Sequence, residues 1–398
     1  MIVSKNSSPS PSNPMYPTYI FRGHEEQIMN LEFDENNSYI LSGDSGGTII
    51  IWDLITKRPI IKFQGHTKGI LRVTLFHNKL ISHGRDNFIH IWKLDQYLKH
   101  LKINELKPFC EESKLNPENS LFINSSSFCK FDLYCKEGIE QEEILVAIPS
   151  IKESSGIDIW NLSNKELIVS SIGLDDKRER GYCMALKLFQ ISQPNNYLIL
   201  ASYENGSVVL WSITINQIDT SSKDDNKRIV VDQLWNCKEH VESVLALDIS
   251  ANKKFAISTA GDNKIVKYIF DENYQNKPSI KSTIIKHSGI ADVKIRSDGK
   301  IFATAGWDAK IRVFSSKTLK PLAILSYHRD SIYSLAFSRI FEQDSINQLE
   351  KSDNNNENVS LIDNNNNNNK IVNSVDEVIK HYLVGGSKDH RISLWEIY

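Results

Sequence analysis

The sequence predicts an all-β chain folded as a seven-bladed β-propeller and closed by the N-terminal strand pairing into the last blade. Three observations carry that expectation. Short β-branched runs recur along the chain, an aromatic residue ends each run, and the two chain ends hold complementary fragments of one repeat.

The units follow in order. Trp52, Trp92, Trp160, Trp211 and Trp395 end the runs GGTIIIW, NFIHIW, SSGIDIW, GSVVLW and HRISLW, all strand-like and preceded by turn residues. NKIVKYIF and AKIRVF put Tyr268 and Phe314 in the place of the tryptophan, which brings the units to seven. A spacing of roughly 40 to 55 residues suits a blade of four short antiparallel strands. In the second unit those strands are RPIIKFQGH, ILRVTLF, KLISHGRD and FIHIWKL. The third unit, from about Lys102 to Leu162, has no Gly-His start and the least defined strands. The seventh is split at about 341–379 by a segment containing SDNNNENVSLIDNNNNNNK, too polar to bury a core and expected as a disordered loop. Residues 1–17 read as a disordered tail, leaving one domain over 18–398. RISLWEIY ends the chain one strand short of a blade, whereas TYIFRGH opens it with a strand that has no blade. Residues around Thr18 to Arg22 are therefore expected to complete the last blade, leaving no open edge.

Composition narrows the function. Lys+Arg 47 against Asp+Glu 49 gives a net charge of -2 over 398 residues, so no global field draws the chain to nucleic acid or an anionic membrane. Proteins are the expected partners, with the chain a monomeric propeller inside a larger complex. Cys110, Cys129, Cys135, Cys183 and Cys237 are scattered and form no CxxC pair, arguing against a disulfide framework or a zinc site. No secretory h-region is seen, nor any stretch near the ~20 apolar residues of a membrane span, so cytoplasm and/or nucleus is the expected location. No cofactor is expected.

Recurring polar residues invite a catalytic reading. His66, Ser82, Asp86 and Trp92 fall where a buried hydrogen-bonded tetrad fixes a blade. His240, Ser258 and Asp262 with Tyr268, and His287, Thr304 and Asp308 with Phe314, repeat the set. A catalytic triad is needed once, a structural device in every blade, so no catalytic residue is assigned. Gly43-Asp44-Ser45-Gly46-Gly47 reproduces a protease nucleophile motif, but only His24 lies upstream and no barrel fits there. It reads as a turn, with Gly46 in the slot that Asp86 fills in blade two. His83-Gly84-Arg85-Asp86-Asn87 loosely resembles a kinase loop and reads as another such turn.

The Gly-His starts (Gly23-His24, Gly65-His66), the Asp before the third strand and the closing Trp resemble WD40 repeats from about residue 18 onward. More specifically, LISHGRDNFIHIWKL, SYENGSVVLW, GIADVKIRSDGKIFATAGWDAKIRVF, LKPLAILSYH and GSKDHRISLW resemble the G-protein β-subunit-like protein 1 / ASTRA-associated protein 1 family. That resemblance implies a scaffold or co-chaperone adaptor, linked to the TTT co-chaperone assembly that matures phosphatidylinositol 3-kinase-related kinases and to the chromatin-linked ASTRA complex. A heterotrimeric G-protein β subunit would begin with a helix that coils with a γ subunit. The Ser/Pro-rich start offers no heptads, so no γ subunit is expected. The alternative is a generic WD40 recognition subunit, such as a ubiquitin-ligase substrate receptor or a histone-tail reader. A modified-lysine reader would need an aromatic cage or an acidic cluster around the channel mouth, for which only Trp307 and Glu204 stand out.

In a repeat ordered d-a-b-c, strands d and b run the same way, so the d-to-a and b-to-c turns emerge on one face. Arg85, Glu204, Trp307 and Lys388 are expected to ring it as the candidate partner-binding face. Trp307 is either an exposed binding anchor or a ring packed over the neighbouring loop. Arg85 and Lys388 are partner contacts or solvated turn charges, and the mixed run Asp175 to Arg180 is read as a solvated loop.

Overall fold

The computed structural model describes residues 16–76, 79–94, 110–112, 115–136, 143–174, 179–191, 195–216, 228–341 and 380–397. The expected tail and the Asn-rich insertion lie almost wholly outside the described residues. The described chain is all β, in seven sheets that follow one another around a ring.

β1 is Tyr19–Arg22. Blade one is Ile28–Phe33, Tyr39–Asp44, Thr48–Asp53 and Pro59–Gln64 (β2–β5). Blade two begins with Ile70–Phe76, Lys79–Gly84 and Phe88–Lys93 (β6–β8). Cys110–Glu112 (β9) then crosses back to pair in parallel with β5, as a fifth strand on the outer edge of blade one. Asn119–Phe122 (β10) returns to complete blade two. Blade three is Asp132–Lys136, Glu143–Pro149, Ile157–Asn161 and Glu166–Ile172 (β11–β14). Blade four is Cys183–Gln190, Asn196–Tyr203, Ser207–Asn216 and Arg228–Lys238 (β15–β18). Blade five is Val244–Ile249, Phe255–Ala260, Lys264–Ile269 and Ser279–Ile284 (β19–β22). Blade six is Ile290–Ile295, Ile301–Gly306, Lys310–Ser315 and Pro321–Ser326 (β23–β26). Ile332–Phe337, Tyr382–Ser387 and Arg391–Glu396 (β27–β29) form blade seven, and β1 pairs antiparallel with β29 in the register Tyr19 to Leu394.

Composition follows position in the blade. The second strand is covered on both faces, so FAISTA and IFATAG are buried at every residue and carry only apolar or small side chains. The outermost strand meets water, and SIKSTI is correspondingly mixed. Seven apolar clusters each span two neighbouring blades. One packs Phe21 and Trp52 against Tyr382 and Leu394, joining the chain's two ends.

A polar belt around the channel bridges every seam. Val73 N donates to Asn30 Oδ1 (2.9 Å) and Arg72 Nη1 to Asp132 Oδ1 (2.9 Å). Leu188 N donates to Asp132 Oδ2 (2.9 Å), and Lys187 pairs with Asp248 at 3.0 Å. Ile295 N donates to Asp248 Oδ2 (2.7 Å), Leu335 N to Asp292 Oδ2 (2.9 Å) and Leu31 N to Ser334 Oγ (2.9 Å). Backbone N–H groups that face no strand partner at the ring's centre are thus satisfied by side chains of the preceding or following blade. Burial pushes the Asp248 carboxyl up, but Lys187 and Lys294 outweigh it and hold it below the usual range.

Candidate functional site: the upper face

The polar sets at the blade tops come first, because they decide between chemistry and binding. In blade two His66 Nδ1 lies 2.8 Å from Asp86 Oδ1 and Nε2 2.7 Å from Ser82 Oγ, while Trp92 Nε1–H donates to the same hydroxyl at 2.8 Å. Ser82 is fully buried and its oxygen is already engaged from two sides, so no substrate reaches it. Burial pushes Asp86 up, but the hydrogen bond and charge of His66 pull its carboxyl down to about 2. Blade five repeats the arrangement with His240, Asp262 (3.1 Å) and Ser258 (2.8 Å), and Ser258 Oγ donates to Tyr268 OH (3.2 Å) at the position of the indole.

Blade one departs from the expected slot. His24 binds Asp44 and Ser42, each at 2.7 Å, and Trp52 Nε1 donates to Ser42. The carboxylate is supplied two residues before Gly46, from the end of the strand, and it also caps the turn by accepting Gly46 N and Thr48 N. The GDSGG stretch is therefore the tetrad's own turn.

Blade seven holds a full set that sequence reasoning missed: His328 with Asp389 (3.0 Å) and Ser393 (2.8 Å), and Trp395 Nε1 to Ser393 (2.8 Å). Its hydroxyl comes from the third strand, opposite Gly385. Ser-x-Trp paired with a glycine in the second strand was the available signal.

Blade six contradicts the expectation. No tetrad hydrogen bond joins His287, Thr304 and Asp308. Arg312 instead takes Asp308 through Nη1–Oδ1 (3.0 Å) and Nη2–Oδ2 (2.5 Å), leaving His287 exposed. Phe314 has no N–H to donate into a hydroxyl, and a bidentate guanidinium pair is the stronger partner. Blade four has no histidine at this point. Arg180 lies over the Tyr203 and Trp211 rings at 5.3 and 5.2 Å, and Asn205 Oδ1 accepts Ser207 N.

The four candidate binding residues all emerge on the same face and are all exposed. Arg85 lies over the Phe128 ring at 4.5 Å. Glu204 accepts Tyr182 N at 2.9 Å, and Lys388 Nζ is 3.8 Å from Asp330. Trp307 is packed and exposed at once. Its ring covers Gly289, where a Cβ would fall 2.0 Å from it, yet the side chain is 48% exposed. Of the mixed-charge run, residues 175–178 lie outside the described residues. Phe128 and Tyr182 (54% and 42% exposed) extend the same face and were not singled out in the sequence.

Two stretches, residues 15–53 and 279–315, match the family described as WD domain, G-beta repeat. Both begin at an outer strand and end after a third strand, which is the d-a-b-c unit. Over 97% of its length the chain is 31% identical to ASTRA-associated protein 1 of Penicillium rubens, covering 98% of that protein. It is 30% identical to ASTRA-associated protein 1 of Schizosaccharomyces pombe, over 81% of this chain and 93% of that one. A Mus musculus protein named guanine nucleotide-binding protein subunit beta-like protein 1 is 29% identical over 97% of both.

Proposed function

The chain belongs to the ASTRA-associated protein 1 family of WD40-repeat proteins, and from that premise we propose that it is a non-catalytic scaffold holding protein partners in an ASTRA-type complex. The similarity at 31% identity across nearly the full length of both chains carries the reading. Buried, fully engaged Ser82 and Ser42 support it by closing the obvious route to hydrolysis.

Within that role the chain assists the TTT co-chaperone assembly in maturing phosphatidylinositol 3-kinase-related kinases, in the cytoplasm and/or nucleus. Partners dock on the upper face, where Arg85, Glu204, Trp307 and Lys388 stand among exposed aromatic rings. Affinity purification of the tagged protein from its own cells, beside an Arg85→Ala/Trp307→Ala variant, tests this. Recovery of TTT components or the kinases with the wild type, and their loss from a folded variant, is the expected result. A ubiquitin-ligase or histone-binding set in their place would overturn the assignment and leave only the propeller.

A further inference from the structure

Blade six breaks the rule its neighbours keep, and it breaks it at the surface. His24, His66, His240 and His328 are drawn down onto an aspartate and are 8%, 3%, 2% and 7% exposed. His287 stands at the same point of its repeat and faces solvent, because Arg312 has taken Asp308. Beside it Gly289, at φ +84°, gives Trp307 a flat backbone seat that no residue with a Cβ would offer. One face of the indole rests there and the rest is open, an aromatic ring already ordered before anything binds.

The turns around it form one continuous surface. Trp307 N donates to Gly289 O (2.9 Å), Ser331 Oγ donates to Trp307 O (3.1 Å) and Lys388 N donates to Ser331 O (2.9 Å). Lys286, Arg329 and Lys388 are exposed on these turns. The carboxylates on the turns of blades six and seven are committed, Asp308 to Arg312, Asp389 to His328 and Asp330 to Lys388, while exposed Glu242 beside Gly261 bounds the sector on the blade-five side. Among the described residues neither Lys286 nor Arg329 has a carboxylate within ion-pair distance. Exposed Glu25 and Glu26 follow on the next turn and end the basic sector, so it is short.

We propose that this sector of blades six and seven receives an acidic segment of a partner protein, which seats an aromatic or aliphatic side chain on the open face of Trp307. The inference rests on the adaptor reading and adds the chemistry of the partner. The surplus cations call for carboxylates, the preorganised indole for an apolar anchor, and the bounding glutamates disfavour a long polyanion such as nucleic acid.

The test uses a fluorescent synthetic peptide of alternating Asp and Glu about a central Phe, titrated onto the full chain. Its Phe→Ala form, a Lys-for-acid form and a single-stranded RNA are the comparisons. Expected are saturable binding that weakens as salt is raised, and a loss of about tenfold or more with Trp307→Ala, with Lys286→Glu/Arg329→Glu or with the Phe→Ala peptide. Unchanged melting temperatures show that the variants are folded. No binding of the acidic peptide, equal binding of the Lys form, tighter binding of RNA, or indifference to the substitutions would each overturn the proposal. Co-purification from cells separates the two ideas. Partners retained by Trp307→Ala would sink this site and leave the adaptor standing, whereas no partners with the wild type would sink the adaptor itself.

Discussion

His83 shows what a buried ring costs the chain in acid. It is fully enclosed, stacks on Phe131 and meets Ser125 Oγ through Nε2 at 3.0 Å, while its Nδ1 has no partner. Burial, with the nearby charge of His66, pushes its pKa down to about 3. A histidine whose folded pKa is depressed stabilises fully above the unfolded value near 6.5, and that contribution is lost as pH falls from there toward 3. At pH 5 the loss from His83 is about 2 kcal/mol. Denaturant melts at pH 7 and pH 5 should differ by that order, and His83→Gln should narrow the gap; an unchanged gap would contradict the assignment. A second loss follows below about pH 4, as depressed carboxyls such as Asp86 and Asp389 take up protons. Within the tetrads, Trp92→Phe deletes one N–H donor to Ser82 and should cost about 1 kcal/mol by chemical denaturation. These residues were legible where hydroxyl, acid and indole kept the common spacing, as in blade two. They were missed where the hydroxyl shifted strand, as Ser393 did, and misread where a stronger partner intervened, as Arg312 did.

The strand that closes the ring was readable because an unpaired strand at one chain end and a missing one at the other solve each other's edge problem. Phe21, in β1, is 1% exposed and packs on Trp52 at a centroid distance of 5.3 Å. Phe21→Ala should therefore cost about 3–5 kcal/mol and loosen the joint between blades seven and one. Hydrogen exchange that rises first in β29 would confirm where the ring opens; uniform change across all blades would not fit. β9 was not foreseen. Its three residues pair with an edge strand four places earlier in sequence order, and neither periodicity nor turn chemistry marks such a partner.

Across the whole molecule, the repeat gave the seven blades their outline, but the belt that ties them together varies its residue type from seam to seam. Asp132, Asp248 and Asp292 accept a backbone N–H of the next blade at three seams, Asn30 and Ser334 do so at two others, and Arg72 and Lys187 add ion pairs, so no single residue type marks it in the sequence. Asp132 serves two seams at once, accepting Arg72 and Leu188 N. Asp132→Ala strands Leu188 N and takes one of the two carboxylates from Arg72, which keeps Glu32 and Phe131 O, and should destabilise by about 2–3 kcal/mol, more than removal of an exposed surface acid such as Glu25. A rigid ring with its polar groups satisfied inward leaves recognition to the turns of one face. Lysine-reactivity footprinting of the complex assembled in cells, compared with the isolated chain, tests that claim most directly. The account predicts protection of Lys68, Lys286 and Lys388 on the upper turns, with Lys165, Lys317 and Lys320 on the opposite turns still reactive. Protection of the lower set with the upper set unchanged would contradict it.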